Sequence, residues 1–201
     1  MTNKQGLLIL YTGPSGVGKG TIRSPIMDDA KLKIAYSVSM TTRKPRQKEK
    51  NGVDYFFVTK KQFKEAIKNE KLLEWATYAN NYYGTPVDYV NKLRKQGKNV
   101  LLEIEAQGGL QIINYCKKHK DNKLLSIFIV PPSIDALKKR LSERKTENKK
   151  TINNRIKVAA WEIQQAKKYQ HKIINHDNKS QLATKQLRKI IVETMKKHKL
   201  W

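Results

Sequence analysis

Cysteine occurs once in the 201 residues of this chain, at Cys116. A disulfide within the chain is therefore excluded, and a reducing, cytoplasmic setting is expected. That thiol and the four histidines (His119, His171, His176 and His198) match no metal-ligand spacing. Hydrophobic runs are short, and none approaches the ~18 residues that a membrane span requires. Residues 1–6 carry one lysine before a brief apolar run, so no secretory signal is expected. Acidic residues are few, 17 against 42 Lys and Arg, which leaves a net charge of +25. Arginine is also scarce, with 8 residues against 34 lysines.

Such a charge suits nucleic-acid binding, or a field that draws in polyphosphates. It is also what AT-rich coding produces, and the 14 asparagines agree with that source. The lysines are scattered over every segment rather than striped along one face, which favours the second origin. No nucleic-acid or membrane partner is expected. The scarcity of arginine makes its placement informative. Five of the eight are Arg43, Arg46, Arg140, Arg144 and Arg155. A chain that uses lysine by default and arginine here needs the planar fork, which grips phosphate oxygens two at a time.

What is present is a phosphate-binding loop. Gly13-Pro14-Ser15-Gly16-Val17-Gly18-Lys19-Gly20-Thr21 follows the apolar run at residues 7–11. Buried strand, glycine turn and helix start form the context that lets backbone N–H groups surround a polyphosphate. Lys19 then reaches the β- and γ-phosphates. Gly20 stands where a Ser or Thr hydroxyl usually holds Mg²⁺. The metal must therefore be held mostly by phosphate, water and carboxylates elsewhere. Gly-Lys-Gly-Thr of this kind resembles small nucleoside monophosphate kinases more than motor ATPases or GTPase switches.

The length suits one α/β domain. Strands are predicted at residues 7–11, 36–40, 54–58, 72–78, 100–105, 124–130 and 173–174. Helices are predicted from Gly18, with Pro25 kinking or stopping the first after two turns. Others are expected from a Thr59/Gln62 capping box, over 86–96, 107–118 and 134–144, around 152–166, and near the C-terminus. Asn80-Asn81 suits a hairpin turn. Short antiparallel strands thus cluster within residues 36–90, inserted into a parallel-sheet core. The basic run 145–150 reads as a connection between two helices, and equally as a candidate lid.

The run Ser37-Val-Ser39-Met-Thr-Thr-Arg43-Lys-Pro-Arg46 is followed by Glu49, Asn51-Gly52 and Asp54-Tyr55. Glu74-Trp75, Asn81-Tyr82-Tyr83-Gly84-Thr85, Glu103-Ile104-Glu105 and Gln107-Gly108 come after it. With the phosphate loop, this constellation closely resembles the guanylate kinase family, from Leu7 to about Ile191. The resemblance implies an α/β fold: a three-layer parallel-sheet core of the P-loop type, a mixed-β GMP-binding segment and a small helical lid. The core would take residues 1–36, 91–138 and 158–201, the GMP-binding segment 37–90 and the lid 139–157. It implies transfer of phosphate from ATP to GMP, with Mg²⁺ as cofactor, and leaves monomer or homo-oligomer open.

The residues agree when read for their chemistry. Arg43 and Arg46, with Tyr55 and Tyr83 as hydroxyl donors, make a pocket for a dianionic phosphate, at about 1.5–3 kcal/mol per charge-assisted bond. Core packing is the other use of those tyrosines. Glu74 lies in an apolar stretch, and a carboxylate there needs donors. Guanine offers two side by side, N1–H and the N2 amine. Adenine offers no such pair, a contrast worth a factor on the order of 10⁴. Ser39 and Thr85 can donate to guanine O6. Glu103 and Glu105, two apart on a strand, would share a face toward the phosphate loop.

By the resemblance, Ser39, Glu74, Thr85 and Glu105 read the base. Glu103 lies among the GMP-side residues and is a candidate for contact with Mg²⁺-bound water. The family commonly has Asp at 103 and 105. Arg140, Arg144 and Arg155 match its lid arginines, with Lys145 where a glycine is frequent. Asn175 matches an adenine contact. Lys19, Arg43, Arg140, Arg144 and Arg155 are the catalytic candidates. Related folds also serve as catalytically silent peptide-binding modules, but those typically lack an intact phosphate loop. A kinase for another nucleotide is the further alternative, and Glu74 argues against AMP.

Overall fold

The computed structural model describes residues 5–143 and 149–201. In chain order the elements are β1 (Leu8–Thr12), α1 (Lys19–Met27), β2 (Ile34–Tyr36), β3 (Ser39–Thr41), β4 (Tyr55–Phe57) and α2 (Lys60–Lys68). Then follow β5 (Leu72–Tyr78), β6 (Asn81–Pro86), α3 (Val87–Lys95), β7 (Asn99–Glu103), α4 (Ala106–Lys118) and β8 (Leu124–Val130). The chain closes with α5 (Ile134–Glu143), α6 (Lys149–Gln165), β9 (His171–Ile174) and α7 (Ser180–Lys197).

All residues of β1 are buried, so the strand needs cover on both faces. It lies at the centre of a five-stranded parallel sheet ordered β2-β7-β1-β8-β9. Alternation divides its side chains between two cores. Ile9 and Tyr11 join Ile22 and Ile26 of α1 and Leu187, Ile190 and Ile191 of α7. Leu8 and Leu10 join Val90 of α3 and Ile112 and Cys116 of α4 on the other face. The result is the expected three-layer α/β/α core. The buried Cys116 thiol is pushed up to about 12 by desolvation.

A second sheet, ordered β4-β3-β6-β5, carries the inserted segment. It closes over a small core of Phe63, Ala66 and Leu72, supported by Met40, Val58 and Tyr82. The helix inside it starts at the capping box: Thr59 Oγ1 accepts from the Gln62 N–H at 3.2 Å, and Gln62 Oε1 from the Thr59 N–H at 2.8 Å.

Several expectations are corrected. The strand read at 36–40 is two strands in different sheets, because the chain leaves the core sheet after Tyr36 and enters the inserted sheet at Ser39. That inserted sheet is mixed, as the family resemblance implies: β3 and β4 run parallel, and the antiparallel reading of its short strands holds for β3 with β6 and β5 with β6. α1 runs two residues past Pro25, held by burial of Ile22 and Ile26. The strand read to Glu105 ends at Glu103, and Glu105 instead precedes the first turn of α4. The hairpin turn falls on Ala79 and Asn80, both with positive φ (46° and 62°).

Candidate functional site

The loop at 13–21 bends where Gly16 and Gly18 take positive φ (84° and 94°), values that a side chain would strain. It is also packed tightly: a Cβ on Gly16 would meet the Leu141 side chain of α5 at 2.7 Å. Lys19 curls back over the loop, donating to the Gly13 carbonyl at 2.6 Å and the Pro14 carbonyl at 3.1 Å. Burial pulls its pKa down, against the opposing pull of Glu103, Glu162 and Glu105. A bound phosphate would replace those carbonyls as the partner of a poorly solvated ammonium.

Two clefts flank the loop. One, about 630 Å³, is lined by Gly13, Ser15, Lys19, Glu103, Glu105 and Arg155, with Tyr78 and Glu162. The other, about 540 Å³, is lined by Gly16, Gly18, Thr21, Arg140 and Asn175. Arg155 therefore shares a cleft with Lys19, and Arg140 does not. The Arg140 guanidinium donates to the Val17 carbonyl (3.2 Å), the Asn175 carbonyl (2.7 Å) and Asp177 Oδ1 (2.6 and 2.8 Å). Asn175 Nδ2 also donates to the Val17 carbonyl, at 2.8 Å. Both residues tie the phosphate loop to the turn after β9. Arg144 and Lys145 lie outside the described residues.

On the inserted side, a recess of about 140 Å³ is lined by Ser39, Tyr55, Thr85 and Glu103, with Ser37 and Asp54. Glu74 is linked to it through the lining residue Thr85 and is only 7% exposed. Its Oε1 accepts from the Thr85 hydroxyl at 2.7 Å. Burial pushes the Glu74 carboxyl up to about 7, a rise that the Thr85 bond opposes and Glu105 adds to. The Thr85 hydrogen is thus directed at Glu74 rather than at the space a base would fill.

The Arg43 fork is already engaged. Its Nη1 and Nη2 meet Glu49 Oε2 and Oε1 at 2.8 and 2.9 Å, and Nη1 also donates to the Lys44 carbonyl at 2.8 Å. The Arg46 backbone N–H adds a third bond to Glu49, at 2.8 Å. Arg43 and this N–H hold the Glu49 carboxyl down at about 2. The Arg43 guanidinium lies 5.4 Å from the Tyr55 ring centre, and the Tyr55 and Tyr83 rings meet edge-on at 6.1 Å. Arg43, Tyr55 and Tyr83 are therefore together, while the Arg46 side chain is exposed.

Glu103 is paired with Arg23 of α1 at 3.0 Å. It and Glu105 reach one cleft from a strand end and a helix start rather than from one strand face. Space is open where a Gly20 side chain would stand, with nothing within 4 Å. Among the described residues no group of three or more His, Cys, Asp or Glu is gathered to hold a metal. The donor set suits a hard cation carried largely by phosphate and water, with the Glu103 and Glu105 carboxylates in the same cleft.

The sequence pattern gives no role to Glu49, Gln111 or Glu162. Glu162 is buried in the Lys19 cleft, and burial raises its pKa. One signal was available: Glu49 is the lone acid of residues 41–53, and Glu162 the lone acid of α6. A single acid in so basic a background has a partner to meet.

Comparison with known proteins agrees with this geometry. The profile of the guanylate kinase family matches residues 4–194. The chain is 45% identical over 192 residues to a guanylate kinase of Bacillus cereus, covering 96% of this chain and 90% of that protein. It is 47% identical over 191 residues to that of Malacoplasma penetrans, covering 95% of each. A crystal structure of guanylate kinase from Anaplasma phagocytophilum superimposes with a TM-score of 0.65 at 27% identity, covering 96% of this chain and 88% of that one. Family profile, near full-length relatives and shared architecture converge on one conclusion: this chain belongs to the guanylate kinase family.

Proposed function

We propose that this chain transfers the γ-phosphoryl group of ATP to GMP, giving ADP and GDP by direct in-line displacement. The observation that carries the reading is a buried carboxylate, Glu74, beside a recess that adjoins an arginine–tyrosine pocket. Guanine N1–H and N2–H would donate to Glu74, and the GMP phosphate would meet Arg43, Tyr55 and Tyr83. Ser39 lines the recess where O6 would lie, and Thr85 holds the Glu74 carboxylate for the base. dGMP should be accepted, since no contact invoked here involves the ribose 2′-hydroxyl.

The acceptor phosphate is already nucleophilic, so positioning and charge stabilisation carry the rate. Lys19 would leave the Gly13 and Pro14 carbonyls for the β- and γ-phosphates. Arg155, in the same cleft, would meet the transferring group. Arg140 and Asn175 would hold the loop's Val17 carbonyl and the adenosine side. Glu103 and Glu105, in the same cleft, would hold the water of a Mg²⁺ bound with ATP, which would supply charge neutralisation at the phosphates. We also propose that segment 37–90 and the described parts of the lid reading, 139–143 and 149–157, close over the core and exclude water, residues 144–148 lying outside the described residues. Exposed Tyr78 and Val158 on the Lys19 cleft are apolar surface that closure would bury. A reducing cytoplasm suits the one buried thiol.

The test is a coupled assay with ATP, magnesium and one acceptor at a time from GMP, dGMP, AMP, UMP and IMP. GMP and dGMP should be consumed rapidly, and AMP and UMP barely. Equal turnover of AMP, or no transfer to GMP, would overturn the proposal.

A further inference from the structure

Gln111 lies on α4 in the core, yet its side-chain amide bonds to the inserted segment. Oε1 accepts from the Trp75 N–H at 3.1 Å, and Nε2 donates to the Trp75 carbonyl at 3.0 Å. One side chain thus meets both backbone groups of one residue and stands in for a neighbouring strand along the edge strand β5. The register of β5 against β6 shifts between Leu72 and Trp75. Glu74 therefore lies at a bulge, where the ladder alone does not fix a side chain's direction. Three residues earlier on α4, and so on the same face, Gly108 lies against Glu74: a Cβ there would fall 2.8 Å from Oε2. α4 thus contacts the Glu74 carboxylate with one turn and grips the following peptide with the next.

We infer that Gln111 is a positioning residue for guanine selection. It pins the bulged backbone so that the Glu74 carboxylate presents both oxygens at the angle that two adjacent donors require. The inference rests on the reading of Glu74 as the residue that selects the base. Gln111 is only half-buried and Trp75 lies on an open groove, so water can replace the lost bonds. What water cannot replace is the fixed direction.

The experiment is Gln111→Ala in steady-state kinetics with GMP and IMP, the latter lacking the N2 amine. Loss of a bidentate clamp should raise KM for GMP about 5- to 20-fold. It should leave kcat and the KM for ATP within about twofold, as expected for lost binding rather than lost transition-state stabilisation. The preference for GMP over IMP should fall several-fold. Asn114→Ala, in the same groove, is the control and should change nothing. Gln111→Glu keeps the stem but turns a second acceptor toward the Trp75 carbonyl, and should behave like Gln111→Ala. Glu74→Gln is measured in parallel. If it loses the GMP preference while Gln111→Ala keeps it, the clamp is wrong and the base reading stands. If Glu74→Gln keeps the preference, the base reading falls and the clamp with it. Failure of both Gln111 variants to fold would make the residue a stability element and overturn the inference.

Discussion

Residues 13–21 would meet phosphate with backbone, whereas Arg43, Tyr55 and Tyr83 would meet it with side chains. The first site is consecutive in the chain, set between a fully buried strand and the helix packed on it. The second is assembled from strands of three to six residues over a core of three buried side chains. Each site is closed on itself in its own way. Lys19 rests on loop carbonyls, and Arg43 rests on an internal carboxylate. A backbone site needs glycines at fixed spacing and little else. A side-chain site needs partners that hold each group in place, and those partners come from distant sequence.

Lys19→Ala is the strongest way to break that comparison. The donor site should lose about 10³-fold in kcat, as when a charge-stabilising group is removed. Affinity for GMP, measured by calorimetry, should be nearly unchanged. Arg43→Lys attacks the other side. It keeps the charge and loses the fork, so KM for GMP should rise about 10- to 100-fold while KM for ATP holds.

A pH series sharpens the contrast further. With its carboxyl pushed from 4.5 to about 7, Glu74 is neutral at lower pH and offers one acceptor where guanine needs two. KM for GMP should therefore rise up to about tenfold per pH unit below about 7. Glu74→Gln should lose that dependence and keep only the titration of the substrate phosphate. The sign for stability is the reverse of the usual carboxylate. Between pH 4.5 and about 7 the folded chain keeps a proton that the unfolded chain releases, so this group lowers stability as pH rises through that window. The smallest expected effect on activity comes from Arg94. It is 2% exposed and paired with Asp121. Arg94→Ala should cost about 2–4 kcal/mol in denaturant unfolding and leave turnover per folded molecule intact.

Arg94 also marks how far the sequence could be read. Scarce arginine marks a need for the fork there too, but the partner is the frame carboxylate of Asp121, not a phosphate. Local features were legible: β5 and β8 occupy the residues that their patterning predicted, and the Thr59 capping box opens α2. Residues 36–40 misled because alternation reports a strand without saying which sheet it joins. Arg140 was legible as a functional arginine but not as one whose fork is engaged by Val17, Asn175 and Asp177. Those partners lie 123, 35 and 37 residues away, beyond the reach of spacing arguments. Gln111 was hidden for the same reason, 36 residues from the backbone it holds.

Selection of GMP turns on Glu74. Calorimetric titration of GMP and of ATP into the wild-type protein and Glu74→Gln, at a pH near 8, tests it most directly. The prediction is a loss of GMP affinity of about 100-fold or more in the variant, with ATP affinity unchanged. Equal GMP affinity in the two proteins would contradict it.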